Sequence, residues 1–240
     1  MLNSFRRLWA PPTPSSPAKV ERDEWAFYLS YLREGMCVFD VGAHIGELTL
    51  FFSRFVRDAG SVHAFEPNKA SFEQLRAACH AAARSNIMLT HAAVAEEERE
   101  VELNVYDTEY ASWSSLAERP LHNYGIFVKP IGKEKIAATT LDAYCLNHDV
   151  PNIDLLKIDV EGAEYQVLLG ARRLLQEKRI RCCVFEFGQT TVDMGNTPED
   201  IESYLTEQGY KIRNLVAGDP PFPGRASAAC FSMHVAVPKQ

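Results

Sequence analysis

Residues 38–50 read VFDVGAHIGELTL. Val38 and Phe39 have the character of a buried strand end. From Ile45 to Val56 the apolar residues Leu48, Phe51, Phe52 and Phe55 recur at helical spacing. Between the two lie Asp40, Gly42 and Gly46. Glycine admits backbone angles and close approaches that other residues do not. A buried strand that passes through glycines into a helix N-terminus points to an α/β fold whose first turn cradles a ligand.

The rest of the chain repeats that alternation. Helices are expected at 24–33, 45–57, 68–84, 141–147, 163–177 and from Asn196 or Thr197 to Gln208, and strands at 36–41, 61–67, 87–94, 98–106, 152–160, 180–187, 210–216 and 231–237. Strands separated by helices imply right-handed crossovers and a mostly parallel sheet. The last two strands are joined by a Pro/Gly-rich loop at 217–224 without a helix, which suits an antiparallel return. The expected fold is therefore a doubly wound α/β sheet closed by an antiparallel hairpin at one edge. Its ligands bind at the carboxyl ends of the strands. The 240 residues suit one domain. Residues 1–19, with PPTPSSP, read as a flexible tail, and 20–240 as the domain, with a lid-like insertion at about 107–135 where periodicity lapses.

The glycine turn departs from the dinucleotide pattern GxGxxG, because His44 stands at the middle glycine. Glu66 ends the second strand, twenty residues after Gly46, where an acid can accept hydrogen bonds from both ribose hydroxyls of an adenosine. That feature suits NAD and S-adenosylmethionine alike. Asp40 at the strand mouth repels a pyrophosphate but suits the ammonium of a methionyl group, while helix-start amides meet its carboxylate. Two plainer roles stay open: Asp40 as a turn-bonding residue, and Glu66 as a cap for the helix starting near Asn68.

DVGAHIG, FEPNKASFEQL, LTHAAV, ASWSSL, TTLDAY and LLKIDVEGAEYQVLLGA follow one another in that order. Over roughly residues 36–190 this series resembles the FkbM-type S-adenosylmethionine-dependent methyltransferases. The resemblance implies the class I methyltransferase fold, a Rossmann-like sheet of seven strands with the last antiparallel. It implies an O-methyltransferase acting on hydroxyls of sugars, polyketides or related metabolites. It places Asp40, Gly42, Ala43, His44, Gly46 and Glu66 in the cofactor site, with Ala92 and Ala93 near the adenine. Many members carry asparagine at the position of His44, so a role for His44 as base is not expected.

KIDVEGAE supplies a second cluster. Lys157 and Asp159 share one face of their strand, with Asp159 at its carboxyl end. Glu161 follows in the turn, and Glu186 ends the next strand. A hydroxyl acceptor becomes a good nucleophile as its proton leaves, and a placed carboxylate can take that proton. The candidate catalytic residues are Asp159 and Glu161, then Glu186, with Lys157 either beside them or only pairing with Asp159. A divalent metal on Asp159, Glu161 and Glu186 is the less favoured alternative. Glu164 reads as a complement to the helix dipole, and His63 and His91, in strands, read as structural. In the 107–135 segment, Tyr110, Trp113 and Tyr124 are candidates to stack on a sugar, and Ser114 and Ser115 to bond its hydroxyls. Aromatic packing within the loop is the competing reading.

The net charge of −7 and the lack of a dense basic patch argue against nucleic acid as a partner. The partner expected is a small-molecule or glycan acceptor. Six cysteines, none in a CxxC pair and several in apolar segments, read as buried thiols of a cytoplasmic protein. No run reaches the length of a membrane span. Two rivals remain: an NAD-dependent oxidoreductase, weakened by the missing glycine and the lack of a YxxxK pair, and a cofactor-binding scaffold without catalysis.

Overall fold

The computed structural model describes residues 15–107, 110, 113–117, 119–223 and 231–239. In chain order the elements are α1 (Pro17–Tyr31), β1 (Cys37–Val41), α2 (Glu47–Val56), β2 (Ser61–Phe65), α3 (Lys69–Ala81), β3 (Ile87–Thr90), β4 (Ala93–Val94), β5 (Arg99–Val105) and β6 (Gly132–Thr139). The second half holds α4 (Leu141–Asn147), β7 (Leu155–Ile158), α5 (Glu164–Leu169), α6 (Arg172–Gln176), β8 (Cys183–Phe187), α7 (Gln189–Asp193), α8 (Pro198–Glu207), β9 (Tyr210–Asn214) and β10 (Ser232–Pro238).

Seven strands form one sheet in the order β3-β2-β1-β7-β8-β10-β9. All neighbours are parallel except β10, which runs antiparallel to both β8 and β9. The expected hairpin is thus present, with its last strand inserted between β8 and the edge strand β9. Period-2 alternation divides the strand residues between two faces. Val38, Val62, Leu155 and Val184 pack with Val20, Tyr28 and Leu32 from the α1 side and with Phe52 and Val56 of α2. Phe39, Val41, Leu156, Ile158 and Phe185 pack under α4, α5, α6 and α8 through Tyr144, Leu168, Leu174 and Leu205. The strand order reverses between β1 and β7, and the crevice at such a switch point is where open α/β sheets bind ligands.

Four local expectations change. The first helix starts at Pro17, upstream of the expected residue 24. A proline suits the first helical turn, and Val20 is buried with Tyr28. Residues 1–14 of the expected tail lie outside the described residues. The expected strand 87–94 splits, so that Ala93–Val94 leaves the large sheet and pairs with β6 in a three-stranded sheet, β4-β6-β5. Strand β6 begins inside the segment read as aperiodic. Its residues 133–135 are exposed and charged, so it shows no apolar alternation; it is aligned on β5 by ladder hydrogen bonds and by Lys135–Glu100 and Lys133–Glu102 pairs at 2.9 and 3.7 Å. The expected helix 163–177 breaks into α5 and α6 at Gly170, where a Cβ would stand 2.1 Å from the Ala95 carbonyl oxygen.

Among the described residues no helix is long and apolar enough to cross a membrane. Five cysteines are free thiols, four of them buried, and Cys230 lies outside the described residues. His63 is structural, as expected: it stacks on Phe39 and meets the Tyr144 hydroxyl at 3.0 Å. His91 stacks on Phe72 and contacts the Pro67 carbonyl. Phe39 is the hub of this face, fully buried against His63, Phe65 and Tyr144. Phe39→Ala is expected to cost about 3–5 kcal/mol. Urea unfolding should show it as a lower midpoint at unchanged slope.

Candidate active site

The carboxyl ends of β1, β2 and β7 open into a cleft lined by Val41, Gly42, Phe65, Glu66, Asp159 and Glu161 among others. The chain can make the first turn only with glycine at 42. Gly42 has φ +81°, and a Cβ there would lie 1.7 Å from the Asp159 carbonyl oxygen. The amides of Gly42 and Ala43 both donate to the Phe65 carbonyl oxygen. The glycine therefore serves a backbone-to-backbone approach as well as lining the cleft. Gly46 starts α2 with φ +95° and abuts Leu75 of α3, away from the cleft. Ala43 is likewise buried against Leu75.

Glu66 is buried at the cleft edge. Its Oε2 accepts the His44 amide and its Oε1 the Asn68 amide, both at 2.8 Å. Burial pushes its pKa to about 7, against the pull of these two bonds toward the ionised form. Each oxygen keeps accepting capacity. Phe65, Ala92, Leu103 and Leu116 give the cleft an apolar wall. A buried, underused acceptor beside an apolar slot fits an adenosine: Glu66 would hold ribose hydroxyls, and the wall would hold the base. Gly42, His44, Ala92 and Ala93 line the cleft.

Asp40 does not line it. It is fully buried, with Oδ2 accepting the Thr49 hydroxyl at 2.6 Å and Oδ1 at 3.2 Å from Lys157 Nζ. Its charge is answered inside the protein, so it is no free partner for an ammonium group. Lys157, also buried, donates to the Gly42 carbonyl at 2.8 Å and stands 3.6 Å from Asp159 Oδ2. Burial opposes its charge, but Asp40 and Asp159 more than offset this and raise its pKa. Lys157 thus positions the glycine turn and Asp159 from below, and its expected catalytic place is not at the cleft surface. Glu24 of α1, half-buried and bonded to the Tyr28 hydroxyl at 2.8 Å, belongs to the same electrostatic group and was not read from the sequence.

Asp159 and Glu161 line the cleft. Glu161 adopts φ +54°, and His44 across the cleft φ +48°, conformations that cost a non-glycine residue about 1–3 kcal/mol and cluster at functional sites. Burial pushes the Glu161 pKa to about 7, with Asp159 adding to the rise and Arg119 opposing it. Glu164 is fully buried and clamps the turn: it accepts from the Val160 and Gly162 amides and from the Thr191 hydroxyl. Glu186 does not line the cleft. Burial, then the Asp159 charge, holds its pKa well above the usual range, and in its protonated form it bonds Asp159. Among the described residues no three His, Cys, Asp or Glu side chains are grouped to hold a metal, so Asp159, Glu161 and Glu186 do not form a ligand set.

The insertion covers this floor. The Ser115 hydroxyl donates to the Glu161 carbonyl at 2.6 Å, and Asn68 donates to the Ser114 hydroxyl at 3.0 Å. Both serines line the cleft, though their hydroxyls also fasten the loop. Tyr110 and Trp113 pack on each other at 4.9 Å and do not line the cleft. Tyr124 ends a short 3-10 turn, Leu121–Tyr124, and its side chain lies outside the described residues. Arg119 was not read from the sequence. It sits over Trp113 and reaches Glu161 at 3.5 Å and Asp193 at 3.9 Å.

The comparisons agree with this geometry. The model of the methyltransferase FkbM domain matches residues 40–212. No curated protein matches the sequence. Among solved structures, a methyltransferase FkbM from Methylobacillus flagellatus is similar at TM-score 0.51 and 16% identity, with 88% of this chain and 50% of that chain covered. This chain therefore spans about half the length of that relative. A putative rRNA methylase from Clostridium thermocellum is similar at TM-score 0.52 and 9% identity over 95% of this chain and 99% of that one. A precorrin-6y C5,15-methyltransferase from Geobacter metallireducens reaches 0.50 at 15%, with coverage of 95% and 94%. At these identities the likeness is one of fold.

The Lys157–Asp40 pair can be checked by stability. Lys157→Met strands Asp40 as an unpaired buried charge and should cost about 3–5 kcal/mol in urea unfolding. The double variant Asp40→Asn/Lys157→Met should recover much of that loss.

Proposed function

The chain belongs to the FkbM methyltransferase family, and from that premise we propose that it transfers a methyl group from S-adenosylmethionine to a hydroxyl oxygen of a small molecule or glycan. The observation that carries the hydroxyl reading is Glu161: a cleft-lining carboxyl with a pKa of about 7, next to the expected cofactor end of the sheet. A base works best when its pKa lies near the working pH. Asp159 is the weaker choice, since Lys157 and Glu186 already engage its carboxylate.

S-adenosylmethionine supplies, when bound, an electrophilic methyl group. Glu66 would hold its ribose, and the apolar wall its adenine. Asp159, kept in place by Lys157, orients charge at the reacting end of the cleft. Glu161 takes the acceptor proton as the acceptor oxygen gains the methyl. The insertion, fastened by Ser115 and Asn68, limits the access of water, so that the acceptor is held close and aligned.

Thermal unfolding in the presence of S-adenosylmethionine, S-adenosylhomocysteine or NADH tests the cofactor. The two adenosyl compounds should raise the midpoint by mass action and NADH should not. Stabilisation by NADH alone would replace this reading with the oxidoreductase. Glu66→Gln should weaken S-adenosylhomocysteine binding in calorimetry by about 1–3 kcal/mol. An unchanged affinity would remove Glu66 from the site.

The base has a pH signature. Glu161 must be ionised to accept a proton, and its folded pKa is raised to about 7. Turnover should therefore rise tenfold per pH unit below about 7 and level off above about 8. Glu161→Gln should lose about 10²–10⁴-fold in kcat and the acid limb with it. Full activity in that variant would pass the role to Asp159.

A further inference from the structure

Three side chains grip Glu161, and among the described residues one of them meets its carboxylate. The Ser115 hydroxyl holds the Glu161 carbonyl at 2.6 Å, and the Glu164 carboxylate holds the amides on either side of it, those of Val160 and Gly162. These bonds fix the left-handed turn without acting on the side chain. The carboxylate is met by Arg119, whose Nη1 stands 3.5 Å from Oε2. Arg119 comes from the insertion, and its side chain is 12% exposed. It does not line the cleft, so it can influence an acceptor only through Glu161. Two groups brace it: the Trp113 ring lies 5.7 Å from the guanidinium carbon, and Asp193 of α7 approaches Nε at 3.9 Å. Arg119 Nε makes no hydrogen bond among the described residues. A guanidinium that served only to fasten the fold would be bonded more fully, and an apolar side chain of similar size would often serve as well.

We propose that Arg119 is a positioning residue for the base: braced by Trp113 and Asp193, it holds the Glu161 carboxylate at the cleft wall and supplies the positive charge that keeps it ionised. This role rests on the reading of Glu161 as base and gives the insertion a part in proton transfer beyond covering the cleft. The surrounding charges make Arg119 the decisive cation. Burial opposes ionisation of Glu161 first, then Asp159 at the end of β7 and Glu164 of α5, and Glu186 of β8 faces it with a further carboxyl. Lys157 acts the other way, but less than Arg119 does, and it is held by Asp40 and the Gly42 carbonyl. Tyr106 of β5 also faces Arg119 and Glu161, and burial raises its pKa further above neutrality, so it carries no charge there. Asp193 sits on the far side of Arg119. Without Arg119 the ionised carboxylate loses its favourable partner, so the Glu161 pKa climbs from about 7. An opposite charge at this range is worth about 1–3 pH units. A rise of about one unit would cut the ionised fraction at pH 7 from about half to about a tenth.

Carbon-13 NMR of glutamate side-chain carboxyls reads this directly and needs no acceptor. The S-adenosylhomocysteine complexes of the wild type, Arg119→Met, Arg119→Lys and the double variant Arg119→Met/Asp193→Asn are titrated with pH. The Glu161 signal is identified by its loss in Glu161→Gln. The wild-type signal should titrate near pH 7. Arg119→Met and the double variant should titrate at least about one pH unit higher, and Arg119→Lys, which keeps the charge, within about half a unit of the wild type. The double variant removes the Asp193 charge together with the cation beside it, and so carries the comparison if the single variant does not fold. Every variant should bind S-adenosylhomocysteine within about twofold in calorimetry, because neither Arg119 nor Asp193 lines the cleft. A Glu161 signal that stays put or falls in Arg119→Met, or Arg119→Lys titrating like Arg119→Met, overturns the role of Arg119 and leaves Glu161 as base. Lost affinity in the Arg119 variants alone also overturns it, since the arginine would then serve the cofactor site or the fold. A wild-type Glu161 that titrates in the ordinary carboxylate range strikes the base reading and this role with it. A wild type that does not bind S-adenosylhomocysteine strikes the methyl-transfer reading and all that rests on it.

Discussion

The buried ammonium of Lys157 is the contact on which the site depends. One cation reaches the Asp40 carboxylate in β1, the carbonyl of Gly42 in the turn and the Asp159 carboxylate just after β7. Two parallel strands lie side by side through their ladder, but a ladder does not fix the turns that leave their ends. Lys157 does so, because a charge without water must keep its partners or be neutralised. Replacing it removes no contact with a ligand, yet it would free the first turn and the carboxylate beside the cleft together. Gly42 completes the arrangement, since only a residue without Cβ lets the turn lie against the Asp159 carbonyl.

Much of this was legible in the sequence because it rests on local rules. Period-2 strands, helical apolar stripes and the absence of a helix before the last strand give the doubly wound sheet and its antiparallel return. Glycines and acids at strand ends give Gly42, His44, Glu66, Asp159 and Glu161 as cleft residues. Other features rest on long-range partners that a linear reading does not contain. Nothing around Asp40 announces that its charge is met by a lysine more than a hundred residues away. Strand β6 carries an exposed lysine and glutamate run, so its identity comes only from pairing with β5. Arg119 lies in an aperiodic stretch and becomes visible only when the fold carries it to Glu161 and Asp193. The aromatics Tyr110 and Trp113 show the reverse error: their type suggests sugar stacking, while their placement joins them to each other.

The division of labour among the carboxylates follows from what each one already binds. Asp40 and Glu164 are wholly buried and occupied, one by Lys157 and Thr49, the other by two amides and Thr191. Burial holds the Glu186 pKa well above the usual carboxylate range, and its side chain bonds Asp159. Glu66 carries two amides but keeps accepting capacity at the cleft edge. Glu161 differs from all of them. Among the described residues its oxygens meet a long contact from Arg119 and no shorter hydrogen bond, and it sits on a left-handed backbone that the Ser115 and Glu164 bonds hold in place. A strained, lightly bonded carboxyl with a pKa near 7 is an inefficient structural device, since a better bonded one would stabilise the turn more. The same carboxyl is well suited to take up a proton and release it again. Burial that raises its pKa, strain that aims it and neighbours that leave its oxygens available all act in the direction of a base, and that agreement is the reason to place the proton transfer at Glu161.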